Sequence, residues 1–306
     1  MIALSEIRRS AGRFVLLTAA VALLVLLSLF FQTVGNGLSA GLTGAYERTS
    51  ADVLVYDQRA RLNPFASVLG PDVPAAVGRV DGVQEAAPVG IVPITANRGT
   101  GRNEVDVTVW GGADRAAGRP SELSAGRYPE SPGEAVNSDA TFDRPFNVGD
   151  TVTLEGRPMR IVGEAPDASL NITPTLYVSF ADYAALVASR RGLPDGSAVP
   201  PGLVAVTVAD GRDPAQVATA INDSVDGVEA VTTGKAVDSL PGAGQVNRSF
   251  AILNVLLFAV VTVVTAVFFL ILTVQKRRAL VLMRAVGASR WDVVKPVLLQ
   301  VVVVVG

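Results

Sequence analysis

KRRALVLMRAVGASRWD, residues Lys276–Asp292, decides how the rest of the chain is read. It lies between two apolar runs, Phe250–Val274 and one beginning near Val297. Ala279, Leu280, Met283 and Val286 fall on one face at helical spacing, while Lys276, Arg277 and Arg284 spread over the remainder. Gly287 supplies a helix stop, because a left-handed residue is cheapest there. Ser289 with Asp292 three residues on has capping-box spacing, so a second helix is predicted from about Arg290. Positive charge alone would suit the flank of any membrane helix. Leu280, Leu282 and Met283 do not suit a solvated loop, however. The spacing predicts two short helices with a glycine elbow, a knob at the membrane surface that another protein can grip.

Working outward, the 306 residues are 49% hydrophobic and 18% charged, an average over very apolar runs and an ordinary soluble stretch. Phe14–Phe31 carries no charge and would extend about 27 Å as a helix, near the roughly 30 Å of a bilayer core. Leu38, Leu42 and Tyr46 share a face beyond it, so the helix is expected to continue toward Glu47 and Arg48. A cleaved signal peptide, cut near Thr43 and Ala45, is the competing reading. Ser249–Val274 is a second span, roughly 37 Å if straight, long enough to require tilt or a protruding end. A third run starts after Pro296 and is too short by Gly306 to cross, so that span reads as unfinished.

Charge sets the expected sides. Residues 35–248 hold 17 basic against 26 acidic residues, a net of −9. The flanking segments hold 9 against 2, a net of +7, the asymmetry of the positive-inside rule. The N-terminus and the 275–295 stretch are therefore expected in the cytoplasm and the middle segment outside. Ser138 is an expected labelling position on the outer side. Basic residues that flank spans, without an interleaved aromatic patch, give no support for nucleic-acid binding.

The middle segment reads as mixed α and β. Strands are predicted at 52–56, 104–110, 176–178, 203–209 and 228–232. Helices are predicted at 71–80, 180–190 and 213–225, and 83–96 reads as a strand pair or a bent strand. A hairpin should turn at Glu155-Gly156-Arg157, and the turn-rich 195–201 is a candidate boundary between lobes. The chain has no histidine and no cysteine, which removes disulfides, His- or Cys-based catalysis and the commonest metal ligands. Asp139, Asp143 and Asp150 fit no calcium loop and read as turn chemistry. Gly234-Lys235 lacks the upstream glycine and the following Ser or Thr of a phosphate loop. No catalytic, cofactor or metal residue is expected.

The run Arg278–Ser289 resembles the cytoplasmic loop of MacB/FtsX-type ABC transporter permeases, which typically reads R-R-E-I-x-x-L-R-A-x-G-A-S. Arg284, Ala285, Gly287, Ala288 and Ser289 match, Met283 stands for the usual leucine, and Ala279 replaces the usual glutamate. Gly126-Arg127, Gly133–Val136, Phe146–Thr151, Arg160–Gly163 and Leu176–Ser179 are similar to stretches of the same family's periplasmic core domain, in the same order. The resemblance implies a membrane protein with transmembrane α-helices, two complete plus the start of a third, and a large α+β extracytoplasmic domain inserted between the first and second. Its expected divisions are a cytoplasmic N-terminus at 1–13, a first span at 14–34, a core domain with helical stalks at 35–248, a second span at 249–274, an ATPase-coupling loop at 275–295 and the start of a third span at 296–306.

The resemblance further implies a permease subunit driven by a separate ABC ATPase, which docks on Leu280, Met283, Arg284, Ala285, Gly287, Ala288, Ser289 and Trp291. It implies pairing with a second permease copy or paralogue in the lipid membrane, and leaves room for an extracytoplasmic adaptor protein. The alternative is a two-span sensor with an extracytoplasmic ligand domain. A sensor would continue into a signalling helix, whereas this chain returns to apolar sequence.

Overall fold

The computed structural model describes residues 11–98, 104–139 and 146–285. They fall into two compact units, one from the segments up to Gly35 and from Arg248 onward, the other Asn36–Asn247.

The second unit is built on ten strands: β1 (Val53–Asp57), β2 (Val83–Arg98), β3 (Glu104–Gly111), β4 (Ala125–Gly126), β5 (Glu134–Asp139), β6 (Thr151–Leu154), β7 (Arg157–Pro166), β8 (Thr175–Val178), β9 (Leu203–Val208) and β10 (Val228–Thr232). Their order is β10-β1-β9-β2-β3-β8-β5-β7-β4, with β6 pairing β2 and β7. The 16-residue β2 answers the expectation at 83–96 as a single strand with a register irregularity between Val83 and Glu85. Its first half pairs antiparallel with β9, and its second half with β3 from Gly90↔Gly111 onward. Because β6 joins β7 back to β2, the pairings β2-β3-β8-β5-β7-β6 close into a ring, which leaves those strands no free edge between them.

β3, β8 and β5 are buried on both faces. Val109, Leu176 and Ala135 face one core together with Ile94, Ile161 and Leu186. Their sequence neighbours Trp110, Tyr177 and Val136 face another with Leu54 and Leu203. Burial of a side chain of this size contributes about 1.5–3 kcal/mol, so the two-faced strands dominate the packing. A third core sits between β1 and β9 (Val53, Val55, Val204, Val206) and the helix α4 (Pro214–Ser224), through Val217 and Ile221.

Five more helices are described: α1 (Ala11–Glu47), α2 (Val73–Val77), α3 (Phe180–Arg190), α5 (Thr233–Ser239) and α6 (Ala243–Ala285). α3 starts where Ser179 accepts a hydrogen bond from the Asp182 amide at 3.0 Å, an N-cap. Its Tyr183 side chain occupies the space over Gly90 and Gly111, where a β-carbon would lie 2.1 Å from the ring and from the Tyr183 Cβ, respectively. Residues 195–201 carry the chain from α3 to β9, yet Asn36–Asn247 remains one compact unit.

α1 and α6 are long and apolar enough to cross a membrane. Almost none of either apolar window is buried, so neither is the core helix of a soluble protein. Leu26, Phe30, Phe258 and Leu270 are 63%, 59%, 76% and 63% exposed, a surface that suits hydrocarbon and not water. Within this unit Gly35 lets the Phe250 ring approach: a β-carbon there would lie 2.9 Å from it. Small residues at such helix contacts are typical of membrane packing.

Candidate functional site

Leu280, Met283, Arg284 and Ala285 lie in the last turns of α6, which runs unbroken for 43 residues. Residues 275–285, expected as the first part of a loop, thus continue the helix that carries the apolar run. At about 1.5 Å per residue α6 is roughly 64 Å long. Gly287, Ala288, Ser289 and Trp291, and the second helix expected from Arg290, lie outside the described residues.

Sequence reading missed a second constellation, where the last turns of α1 enter the sheet unit. The backbone of 167–173 wraps this end as a collar. The Ile172 amide donates to the Gly41 carbonyl at 2.7 Å, Asn171 to Leu42 at 3.3 Å, and the Ala45 amide to Ser169 at 2.9 Å. Gly44 makes this approach possible, since a β-carbon there would stand 2.0 Å from the Asp167 carbonyl oxygen. Arg48 closes the outer side toward Glu122 at 3.3 Å and Asp167 at 3.5 Å.

Buried hydroxyls hold the collar on the sheet. Ser138 and Ser169 share a 3.0 Å hydrogen bond, and Ser138 also accepts from the Thr175 amide at 2.8 Å. The Thr175 hydroxyl accepts from the Leu170 amide at 2.9 Å, and Thr108 meets Thr173 at 2.6 Å. Ser138, expected on the accessible surface, is fully buried here and cannot serve as a labelling position. Asp167, Asn171 and Ile172 take positive φ values of 50°, 58° and 61°. Asp and Asn tolerate that region, but a β-branched isoleucine rarely enters it.

Tyr46 anchors the helix end inside the core. Its ring meets Trp110 edge-on at 5.6 Å, and Trp110 packs on Tyr177 at 5.9 Å. Trp110 donates Nε1–H to Gly118 at 2.8 Å, and the Tyr177 hydroxyl donates to Ala168 in the collar at 2.6 Å. The Tyr46 and Tyr56 hydroxyls are buried beside each other, with no other hydrogen-bond partner. Burial pushes the Tyr56 phenol well above its ordinary range, partly offset by the nearby Tyr46 hydroxyl. Thr43 and Ala45, the candidate positions for a leader cut, lie within these buried turns.

The approach to α6 reaches the same core. Ala236 and Leu240 are buried in the cluster that holds Tyr46, Trp110 and Tyr177. Thr233 ties α5 to the start of β1, its amide to Asp52 at 3.0 Å and its hydroxyl to Ala51 at 2.7 Å. Pro241 and Gly242 then separate α5 from α6, with Gly242 at φ +88° and open space around it.

The five stretches quoted for the core domain converge. Gly126 and Gly163 bring β4 and β7 into close backbone contact, and Arg127 pairs with Glu134 at 2.8 Å. β5 runs parallel to β7 from Glu134↔Arg160 and pairs Val136 with Tyr177 on β8. Asp150 and Gly149 pack their backbone on Ile161. Asp150 also accepts from the Asn147 amide at 2.9 Å, the turn role expected of it. Asp143 lies outside the described residues. No cluster of three or more metal-ligating side chains occurs among the described residues.

A mixed sheet unit with both ends of its chain running into long apolar helices defines a membrane-carried domain protein. Residues 14–224 match the family described as MacB-like periplasmic core domain, and residues 251–305 match the FtsX-like permease C-terminal family. The chain belongs to the MacB/FtsX-type permeases. It is 30% identical over 168 residues to the uncharacterized ABC transporter permease Rv0072 of Mycobacterium tuberculosis, covering 55% of this chain and 46% of that one. The chain thus spans about half the length of that relative. A second M. tuberculosis ABC transporter permease, Rv2563, is 25% identical over 308 residues, 99% of this chain and 80% of the other. Among solved structures, the periplasmic region of MacB from Actinobacillus actinomycetemcomitans matches 62% of this chain and 92% of its own, at 14% identity and a TM-score of 0.44. The extracellular domain of the noncanonic ABC-type transporter YknZ from Gram-positive bacteria matches 59% and 98%, at 14% identity and a TM-score of 0.37.

Proposed function

We propose that this chain is the membrane subunit of an ABC transporter, in which a separate ATPase subunit moves the long helices and the Asn36–Asn247 unit receives that motion. The observation that carries the reading is the shared core: the end of α1 and the approach to α6 are both built into the cluster around Trp110. A displacement of the α1 end must therefore repack that core, and the approach to α6 is anchored in it up to Leu240. Spans at 14–34 and 249–274 place residues 1–13 and 275–295 in the cytoplasm and 35–248 outside, as the charge split supports. The ATPase grips Leu280, Met283, Arg284 and Ala285, with Gly287, Ala288, Ser289 and Trp291 completing the knob. A second copy or a paralogue pairs with the chain, and an extracytoplasmic adaptor engages the outer unit. The work done is export or extraction of a substrate outside the membrane, with no catalysis by this chain.

Met283→Asp tests the docking. Removing a buried anchor costs about 2 kcal/mol or more of binding, and a carboxylate without a partner adds to that. The expected result is loss of ATPase co-purification with normal membrane insertion; retention of the ATPase would sink the docking role. The chain has no native cysteine, so single-cysteine labelling reads the topology cleanly. Ser10→Cys and Ser289→Cys should resist an impermeant reagent in intact cells. Ser131→Cys, at an exposed position, should react.

A further inference from the structure

A cleft of about 820 Å³ opens on the Asn36–Asn247 unit, within the range of about 300–1,000 Å³ typical of small-molecule sites. One wall is the segment before α2, with Phe65 and Val68. The floor is Ile91 on β2, and the other wall is α3 with Tyr183 and Val187; Val199 closes the rim. Phe65 and Val68 are 46% and 58% exposed, although large apolar side chains on this unit are otherwise mostly buried. The segment that presents them is held from below, since buried Ser67 accepts from the Asp57 amide at 2.8 Å.

At the α3 end stand Arg190 and Arg191, both exposed. Arg190 donates to the Pro93 carbonyl at 2.6 Å, and neither guanidinium pairs with a carboxylate among the described residues. No acidic residue lines the cleft. An apolar trough that ends in two uncompensated guanidiniums complements one kind of molecule, with an apolar tail and an anionic head. Charge-assisted bonds from arginine favour carboxylate and phosphate oxygens.

We propose that this cleft binds an amphiphile with a single anionic headgroup, its tail along Phe65, Val68, Ile91 and Val187 and its head on Arg190 and Arg191. The site does not depend on how the helices are driven. Asn171 lines the same cleft, and its amide bonds Leu42 at the end of α1. An occupant therefore lies against a collar residue.

The test is photolabelling of the full chain in lipid nanodiscs with a diazirine-bearing decanoate, with adducts mapped by mass spectrometry. Saturable adducts are expected on 60–70 and 183–202, separate from non-saturable ones on the apolar helices. Decanoate and decyl phosphate should compete, and the better competitor identifies the headgroup as carboxylate or phosphate. Decanol should compete about tenfold less well, the loss expected when charge-assisted bonds are removed. Arg190→Gln with Arg191→Gln, and separately Val68→Glu, should abolish the cleft adducts and leave those on the helices. Adducts confined to the helices, equal competition by decanol, or cleft adducts unchanged in both variants would overturn the proposal. Competition by an acidic apolar peptide but not by decanoate would reassign the cleft to peptides.

Discussion

At the end of α1 the backbone of Gly41–Ala45 is hydrogen-bonded to a collar, and Gly44 presses against a carbonyl with no room for a methyl group. At the start of α6 the chain passes through Leu240, Pro241 and Gly242, and Gly242 has open space on every side. Both segments feed one core, but the first is held by main-chain bonds along the helix end itself, whereas the second is held at Thr233 and through Ala236 and Leu240, all before a break. Main-chain bonds at a helix end satisfy carbonyls that would otherwise need water, so they fix position as well as contribute energy. A proline-glycine break fixes neither. The difference teaches where stiffness lies: the end of α1 is fixed to the sheet by main-chain bonds, whereas Pro241 and Gly242 interrupt the α5–α6 connection.

The largest effect should come from Gly44→Val. Its side chain meets the Asp167 carbonyl and the Ser169 amide, backbone atoms that cannot turn aside. A loss of about 3 kcal/mol or more is expected, since overpacking against backbone exceeds the usual range. Gly242→Ala at φ +88° should cost only the left-handed penalty, about 1–2 kcal/mol, with no clash. Urea unfolding of both variants in detergent, followed by Trp fluorescence, reads the pair. Equal losses would break the contrast between the two attachments.

A tyrosine pair sharpens it. Tyr177→Phe removes the 2.6 Å bond to the Ala168 carbonyl and leaves a buried acceptor unpaired in the collar, costing about 1–3 kcal/mol. Tyr46→Phe removes a buried hydroxyl whose one neighbour is the equally buried Tyr56 hydroxyl, so its loss should be smaller than that of Tyr177→Phe although the ring is equally buried. Thermal unfolding decides between them; a comparable loss in both would mean that the Tyr46 hydroxyl contributes as much as the collar bond, through its neighbour Tyr56.

The sequence made the local elements legible and left the collar unreadable, for physical reasons. α3 could be placed because Ser179 and Asp182 cap it and Tyr183, Leu186 and Val187 keep helical spacing. The β6–β7 hairpin could be placed because Glu155 and Gly156 take the positive φ values of a tight turn. β5 was hidden, since Glu-Ala-Val-Asn-Ser-Asp has neither alternation nor an apolar run. Its Asn137 and Ser138 are buried, Asn137 donating to the Phe146 carbonyl and Ser138 bonding to Ser169 and Thr175, partners that no local pattern reveals. Residues 167–173 likewise have no periodicity, because their partners lie over a hundred positions away on α1. Of the candidate coupling residues, helical spacing placed Leu280, Met283 and Arg284 on the helix that the structure continues to Ala285.

Acid provides the smallest effect and separates these regions by chemistry. Apart from the exposed Arg48 pairs, the collar is held by amides, carbonyls and Ser or Thr hydroxyls, none of which titrates between pH 2 and 7. The β4–β5 connection depends instead on Glu134, which accepts from Arg127 and from the Glu130 and Ser131 amides. Led by the Arg127 bond, these partners lower its pKa from the ordinary 4.5 to about 2. A depressed folded pKa stabilises the native state above the unfolded value, so this contribution is complete above pH 4.5 and fades as pH falls toward 2. Amide exchange should therefore rise first at 125–136 on acidification, while 41–48 and 167–173 stay protected. Glu134→Gln should remove that pH dependence and leave the collar unchanged. Early acid opening of the collar itself would show that the Arg48 pairs, and not its buried hydroxyls, hold the first helix in place.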